Sequence, residues 1–187
     1  MSDTTLSITN TDKTRKMIFA ALFASLTCVS TMIIKIPTPT NGYIHPGDGF
    51  VLLSSLLLGP VWGTLAAGIG SALSDLIGGY FIYVPATFII KSLTALVGYY
   101  VFHFLLRLIG TNTNAPQLIL GGIAGEFIMV AGYFLFEIFM LSVLNDTSLE
   151  ASTIASAASI IPNIIQAMFG VIISTILYPI LFKKLPI

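Results

Sequence analysis

Residues 151–182 read ASTIASAASIIPNIIQAMFGVIISTILYPILF and contain no Asp, Glu, Lys or Arg. Four further segments, 49–74, 76–90, 92–106 and 108–125, also lack all four residue types. Of the 187 residues, 56% are hydrophobic and 9% are charged, whereas roughly 25% of the residues in a soluble domain are charged. This composition excludes a disordered chain and argues against a soluble globular domain, which leaves a polytopic membrane protein.

The apolar segments predict helices rather than the strands of a barrel. They are too long and alternate too little for barrel strands of roughly 10 residues, and each approaches the roughly 20 residues that cross hydrocarbon as a helix. We therefore predict an all-α membrane protein with six transmembrane helices, since backbone groups in lipid must hydrogen-bond internally. The predicted helices cover residues 17–36, 47–58 (a short one), 60–78, 86–107, 116–145 and 158–184.

The chain is predicted to hold one domain, residues 17–187, behind a polar tail, residues 1–16, that frays. The connection from Asn145 to Ser156 is predicted to be a loop that is partly helical. The basic residues then define an orientation, and six of them fall on one face of a six-helix protein: Lys13, Arg15, Lys16, Arg107, Lys183 and Lys184. The positive-inside rule makes that face cytoplasmic. We therefore expect a protein of the bacterial cytoplasmic membrane with both termini on the cytoplasmic side.

Several function classes find no support in the sequence. The eight basic and eight acidic residues cancel, and no basic tract suggests binding to nucleic acid. The single cysteine, Cys28, excludes an intrachain disulfide framework and a cysteine-rich metal site. No phosphate-binding loop, dinucleotide fingerprint or metal-ligand spacing is present, so we predict no enzymatic activity, no cofactor and no metal.

Ionisable residues inside the predicted helices are the functional candidates. Each costs roughly 2.5–3.5 kcal/mol at the centre of a helix in lipid, so Lys91, Glu126 and Glu137 need an explanation. At 100° per residue, Tyr133 lies on the same stripe of the fifth helix as both glutamates. The fifth helix therefore presents one polar face within an apolar surface.

Depth brings several polar residues to one level. Lys91, Glu137, Asn163 and Gln166 each lie roughly 8–12 Å below the outer surface at 1.5 Å per residue, and Tyr83 lies at or just above that level. Hydrogen-bonding groups that meet in an apolar wall are typical of a small-molecule pocket, here one open to the outside. The predicted substrate-binding residues are Lys91, Tyr133, Glu137, Asn163, Gln166 and Tyr83.

Each of these residues also has an alternative interpretation. Lys91 and Glu137 could neutralise each other, and Asn163 could satisfy backbone groups that Pro162 leaves without a partner. The tyrosines could belong to the aromatic belt at the membrane interface. The agreement in depth of residues from three helices favours the pocket over these separate explanations.

Other polar and small residues are given structural roles. We expect Asp48 to cap the N-terminus of the second helix, Asp75 to serve at a helix end or in packing, and His45 to lie in a surface loop. Ala20 and Ala24 are spaced four apart on the first helix, where small residues let another helix approach closely. From spacing alone, packing within the chain is favoured over docking of another membrane protein.

Several stretches together resemble the S components, the substrate-binding subunits, of energy-coupling factor (ECF) vitamin transporters. They are GYIHPGD at 42–48, LLGPVWG at 57–63, GSALSDL at 70–76, PATFIIK at 85–91, GYF at 132–134 with Glu137, and Pro162-Asn163 with Gln166. The resemblance covers nearly everything after residue 16.

The resemblance implies a six-helix vitamin receptor with three protein partners, a transmembrane coupling protein and two ATP-binding cassette ATPases that hydrolyse ATP in its place. It implies that Ala20 and Ala24 lie on a docking surface for the coupling protein. It also implies a vitamin site in the outer part of helices four to six, under a lid formed by residues 37–46. Within the family the chain is most similar to the pyridoxine and hydroxymethylpyrimidine members, and riboflavin is the alternative ligand.

A second class of function remains open on the residues alone. Carboxylate pairs inside membranes often relay protons, so Glu126 and Glu137 could drive a self-sufficient proton-coupled transporter of small molecules.

Overall fold

Seven α-helices and one short hairpin make up the part of the chain that the structure describes. A computed structural model describes residues 3–38, 43–110 and 115–184, with side chains from Asp12 onwards. The helices are α1 (Asp3–Ile33), α2 (Asp48–Leu58), α3 (Pro60–Gly78), α4 (Val84–Ile109), α5 (Ala115–Phe139), α6 (Leu149–Ala157) and α7 (Ile160–Lys184). The hairpin pairs β1 (Ile36–Pro37) with β2 (Tyr43–Ile44) in antiparallel register.

The predicted all-α membrane architecture is confirmed. Five helices are long and apolar enough to cross a membrane: α1 from Asp12, α3, α4, α5 with its extension to Leu144, and α7. The second predicted helix is α2, which is apolar but has only 11 residues and so matches the expectation that it is short. At 1.5 Å per residue it extends for about 16 Å, roughly half the hydrocarbon thickness.

The helix ends differ from the prediction in two places, and the loop that was predicted to be partly helical does contain a helix. α1 begins at Asp3 instead of residue 17, although the polar segment is rich in Thr, Ser, Asn and Asp, which are weak helix formers. An exposed Asp12–Arg15 pair one turn apart, at 3.8 Å, gives this segment modest support. The outer end of α5 continues as a π-helix from Met140 to Leu144. The loop after it contains α6. Ser148 caps the N-terminus of α6, because its side chain accepts a hydrogen bond from the Ala151 N–H.

Local sequence explains how the helices begin and end. Pro60 starts α3 immediately after Gly59, which adopts a positive φ of 84° that separates α3 from α2. Gly79 ends α3 in the left-handed conformation at φ 82°. Residues 39–42 of the predicted lid lie outside the described residues, as do residues 111–114 of the connection between the fourth and fifth predicted helices.

The helices pack as a bundle with two distinct ends. α3 packs against α1, α2 and α4, α5 packs against α4 and α7, and α2 is inserted between α3 and α7. We call the cavity end the one where α2, α4 and α7 begin and where α3 and α5 end. We call the basic end the opposite one, where the last turn of α4 contains Arg107 and the last turn of α7 contains Lys183 and Lys184.

Candidate functional site: a polar cavity under the hairpin

A small polar cavity of about 30 Å³ lies at the cavity end of the bundle. This volume is far below the roughly 300–1,000 Å³ typical of small-molecule sites, so a ligand of that size would require the wall to move apart. Polar and aromatic side chains from the hairpin and from α3, α4, α5 and α7 form most of its wall. The lining residues are Thr38, Tyr43, His45, Ser71, Ser74, Asp75, Tyr80, Tyr83, Thr87, Tyr133, Glu137, Asn163 and Gln166.

Five of the six predicted substrate-binding residues line this cavity. Tyr83 precedes α4, Tyr133 and Glu137 lie on α5, and Asn163 and Gln166 lie on α7. The periodicity of the helices and the common depth therefore bring them together as expected. Whether they bind a ligand stays a prediction.

The sixth residue, Lys91, lies beneath the cavity rather than on its wall. Its side chain is fully buried, and its Nζ donates to the Asp48 Oδ1 at 2.5 Å. The structure thus pairs Lys91 with Asp48 of α2, whereas the sequence suggested Glu137 as a counter-ion. The Lys91 Nζ also lies 5.2 Å from the centroid of the Tyr133 ring, which is on the cavity wall. Lys91 therefore reaches the cavity wall through Tyr133 and, by way of Asp48, through Gln166.

Asp48 lies directly below the cavity, where its hydrogen-bonded network forms what we call the floor. The prediction that Asp48 caps the N-terminus of α2 is wrong. The N-cap of α2 is Gly47, and no side chain caps this helix. The Asp48 carboxylate instead accepts from Lys91 through Oδ1 and from the Gln166 Nε2 through Oδ2, the latter at 2.6 Å. A buried aspartate needs this compensation because an uncompensated charge in an apolar interior is very costly. The network ties α2, α4 and α7 together.

Gln166 extends that network to the segment beside the hairpin. While its Nε2 donates to Asp48, its Oε1 accepts a hydrogen bond from the backbone N–H of His45 at 2.9 Å. Both ends of the Gln166 amide are therefore used within the protein. One side chain on α7 connects the buried ion pair with the segment that covers the cavity.

His45 is buried, so the expectation of a surface loop histidine is wrong. Only 8% of the residue is exposed, and its Nδ1 accepts a hydrogen bond from the Gly47 N–H at 3.1 Å. Burial lowers the pKa of His45 from its ordinary value of 6.5 to about 3, because a buried imidazolium loses its hydration. His45 is therefore neutral at physiological pH.

Tyr43 fastens the hairpin to the end of α3. Its hydroxyl donates to the Asp75 Oδ1 at 2.6 Å, and burial together with the Asp75 charge raises the pKa of Tyr43. The Lys35 ammonium lies over the ring of Tyr43, 4.3 Å from its centroid. The same ammonium lies 5.2 Å from the centroid of the Tyr80 ring. Asp75, which was expected to serve at a helix end or in packing, therefore joins the cavity wall and holds the lid.

Glu126 lies below the cavity next to the floor network. It is 1% exposed, and its Oε1 lies 2.7 Å from the position that a Cβ on Gly170 would occupy. The Asp48 Cβ lies 2.9 Å from the same position. α7 makes room for both acidic side chains only because residue 170 is a glycine.

Ala20 and Ala24, the predicted docking residues, are packed inside the free chain. Each is 8% exposed and belongs to the core cluster that also contains Phe23 and Ala66. The Ala24 carbonyl oxygen lies so close to α3 that a Cβ on Gly70 would overlap it. Docking through these two alanines stays a prediction.

Sequence reasoning missed the contribution of the hairpin to the cavity. In an extended strand, side chains two residues apart point to the same side, and the rings of Tyr43 and His45 do lie 5.5 Å apart. Ser71 and Asp75 share a face of α3 by their spacing of four. These two spacings were signals in the sequence from which the remaining wall could have been predicted.

Two comparisons bear on identity. A family model described as "ECF-type riboflavin transporter, S component" matches residues 11–183. A protein of Pyrococcus woesei described as "Uncharacterized protein in gap 3'region" is 34% identical over 159 residues, which cover 84% of this chain and 95% of that protein. The family match spans every helix that forms the cavity, so the chain belongs to the ECF-type riboflavin transporter S component family and is a membrane-embedded transporter subunit rather than an enzyme.

Proposed function

We propose that this S component captures a small heteroaromatic vitamin, pyridoxine or hydroxymethylpyrimidine, in the cavity under the hairpin. The observation that carries the proposal is the chemistry of the wall, which combines tyrosine rings with carboxyl, amide and hydroxyl groups. Aromatic rings stack on a flat ligand, while Asn163 offers both a donor and an acceptor to its substituents. The Lys91–Asp48–Gln166 network fills the space below and favours a ligand with a single ring.

Riboflavin is the second candidate, and the printed name of the matching family supports it. Its three fused rings and sugar-alcohol chain need more space than a single ring. Binding of riboflavin would therefore require the hairpin, which Tyr43 holds against α3, to stand further from the bundle.

A direct binding measurement separates the two candidates. Mass spectrometry on the purified chain identifies any small molecule that is retained, and titration calorimetry in detergent gives affinities for pyridoxine, hydroxymethylpyrimidine and riboflavin. The proposal expects a single-ring vitamin to bind with submicromolar affinity. Retention of riboflavin alone would instead favour the second candidate.

We infer that uptake depends on a membrane-embedded coupling module, since membership of the S component family implies such a partner. The proposed module contains a transmembrane coupling protein and two ATPases, and the receptor lies in the cell membrane. In proteoliposomes, vitamin uptake should require the whole module and ATP. Uptake by the chain alone would favour the self-sufficient proton-coupled transporter instead.

Docking through Ala20 and Ala24 is the finer proposal for this partnership. Ala24→Leu should weaken co-purification with the coupling module by at least about tenfold. Ala21→Leu is the matched control, because Ala21 lies on the same helix and is exposed. Thermal unfolding of each free variant distinguishes lost docking from lost packing, since Ala24 also touches α3. A destabilised Ala24→Leu chain that still binds the module would contradict docking at this residue.

A further inference from the structure

Many polar groups on the cavity wall already have a hydrogen-bond partner within the protein. The Tyr43 hydroxyl donates to Asp75, and the hydroxyl oxygens of Thr87 and Tyr133 lie 3.1 Å apart. Both ends of the Gln166 amide are also used. A ligand that binds these groups must compete with an existing contact, so they define the shape of the wall more than its affinity for a new partner.

Ser71 of α3 differs from these groups. It lines the cavity and is 1% exposed, and its Oγ has no hydrogen-bond partner in the part of the chain that the structure describes. A serine within a helix commonly bonds back to a carbonyl of the preceding turn, as Ser74 does through its 2.7 Å bond to the Ser71 carbonyl oxygen. A buried hydroxyl without a partner is costly, so its position on a cavity wall points to a partner from outside the chain.

Ser71 lies deep in the cavity. It precedes the end of α3 at Gly78 by seven residues, which places it roughly 10 Å from the cavity end at 1.5 Å per residue. Gln166 follows the start of α7 at Ile160 by six residues and so lies at a similar depth. Because both ends of the Gln166 amide are occupied, Ser71 rather than Gln166 can form a new hydrogen bond at this level.

The position of Ser71 does not depend on the hairpin. α3 packs against α1, α2 and α4, so the helix bundle fixes this hydroxyl. A ligand that enters when the hairpin and the bundle move apart therefore meets Ser71 in a defined place, as side chains on helices are held more precisely than those on loops.

The chemistry of a serine hydroxyl restricts the group that it can recognise. It donates one hydrogen bond, accepts others and carries no charge. A hydroxymethyl group also donates and accepts, and it is long enough to extend from a ring to the wall. A site that hydrogen-bonds a ligand hydroxyl rejects the analogue that lacks it, because the polar group of the site is then left without a partner.

We propose that Ser71 hydrogen-bonds a hydroxymethyl group of the bound vitamin and thereby selects ligands with a hydroxyl at the deep end of the cavity over those with a methyl group there. This inference rests on the proposed function, the capture of a small heteroaromatic vitamin, and names a residue that determines specificity within it. The family resemblance places the vitamin site on the fourth to sixth predicted helices, so a contact from α3 extends that site.

The test uses ligands that differ by one hydroxyl. In 4-deoxypyridoxine and 5-deoxypyridoxine a methyl group replaces one hydroxymethyl group of pyridoxine, and 4-amino-2,5-dimethylpyrimidine is the corresponding analogue of hydroxymethylpyrimidine. Titration calorimetry on the full chain in detergent gives the affinities. We expect the wild type to bind the vitamin at least about tenfold more tightly than one of its analogues, and Ser71→Ala to reduce this preference to about twofold or less.

Stability separates recognition of the ligand from support of the fold. Because the Ser71 hydroxyl has no partner in the described part of the chain, Ser71→Ala should unfold at a temperature no lower than the wild type. Ser71→Cys, which keeps the shape but donates weakly, is a second variant that should also reduce the preference. Ser174→Ala is the matched control, since Ser174 is 2% exposed, lies off the cavity wall and donates to the Val171 carbonyl at 3.1 Å.

The possible outcomes separate the inference from the proposed function. A preference that survives in both Ser71 variants would overturn the inference and leave the single-ring vitamin in place. An equal loss of affinity for the vitamin and for its analogues would overturn it too, since Ser71 would then act on the shape of the wall. Binding of riboflavin alone would overturn both. A preference that both Ser71 variants reduce without a loss of stability, and that Ser174→Ala keeps, would support the inference.

Discussion

The two ends of the bundle hold their helices together in different ways. Near the basic end, Gly63 of α3 lies directly on α2, and the Ser54 hydroxyl donates to the Gly63 carbonyl at 2.8 Å. At the cavity end, α2 is held by the buried charges of Asp48 and Lys91. Close backbone contact leaves no space for a ligand, whereas long polar side chains keep helices apart. α2 is therefore held by close backbone contact at one end and by a buried ion pair, which leaves space for the cavity, at the other.

Removing the charge at the cavity end should have the largest effect. Lys91→Met leaves the Asp48 carboxylate buried without its cation, which costs about 3–5 kcal/mol. Thermal unfolding in detergent measures the loss. The double variant Lys91→Met/Asp48→Asn removes both charges and should recover most of the stability, because a buried pair stabilises little relative to a neutral replacement. A single variant as stable as the wild type would mean that Asp48 is neutral in the protein.

Filling the contact near the basic end should have the next largest effect. A Cβ on Gly63 would overlap the Ser54 carbonyl oxygen and the Ser55 Cα, which are backbone atoms that cannot turn aside. Gly63→Ala should therefore lower the free energy of unfolding by about 1–3 kcal/mol despite the better helix propensity of alanine. Gly122→Ala is the control, since its Cβ would meet only side-chain atoms, the nearest at 3.1 Å on Val171. Equal effects of the two substitutions would show that backbone contact is not what makes Gly63 special.

Acid should weaken the cavity end selectively. The folded pKa of His45 is about 3 and the ordinary value is 6.5, so between these values the unfolded chain binds the extra proton. Stability should thus fall as the pH falls below 6.5, with a slope approaching about 1.4 kcal/mol per pH unit towards pH 3. Unfolding measured from pH 7.5 to 5 tests this, with His45→Asn as the comparison. A variant that keeps the wild-type slope would assign the pH dependence to other groups.

Loosening the hairpin should have the smallest effect on stability. Tyr43→Phe keeps the ring that contacts Lys35 and removes the hydroxyl that donates to Asp75, at a cost of about 1 kcal/mol. The dissociation rate of a bound vitamin should rise about fivefold, because the segment over the cavity opens more readily. Tyr100→Phe is the control, because the Tyr100 ring is exposed on α4 and does not line the cavity. An unchanged rate in Tyr43→Phe would mean that opening of the hairpin does not limit release.

Most of the fold could be predicted because lipid restricts the sequence so strongly. Except at the start of α1, segments without charge, separated by Gly59-Pro60 and by Gly78-Gly79, define the helices to within a few residues. The π-helix at Met140–Leu144 could not be predicted, since it depends on an extra residue in one turn rather than on composition.

The candidate site was predictable where helical periodicity governs it and not where packing does. Tyr133, Glu137, Asn163 and Gln166 followed from spacing and depth. The partner of Lys91 did not, because Asp48 lies 43 residues away and meets it only through the packing of α2 against α4. Spacing along the sequence does not indicate which distant residue will pair with a buried charge.

The ion pair between α2 and α4 also affects how the chain is made. α2 has 11 residues and begins with Asp48, so on its own it is too short to cross the lipid and starts with a charge. Lys91 is synthesised 43 residues later, a delay of about 2–9 s at roughly 5–20 residues per second. We therefore expect α2 to reach its buried position only after Lys91 of α4 has been synthesised.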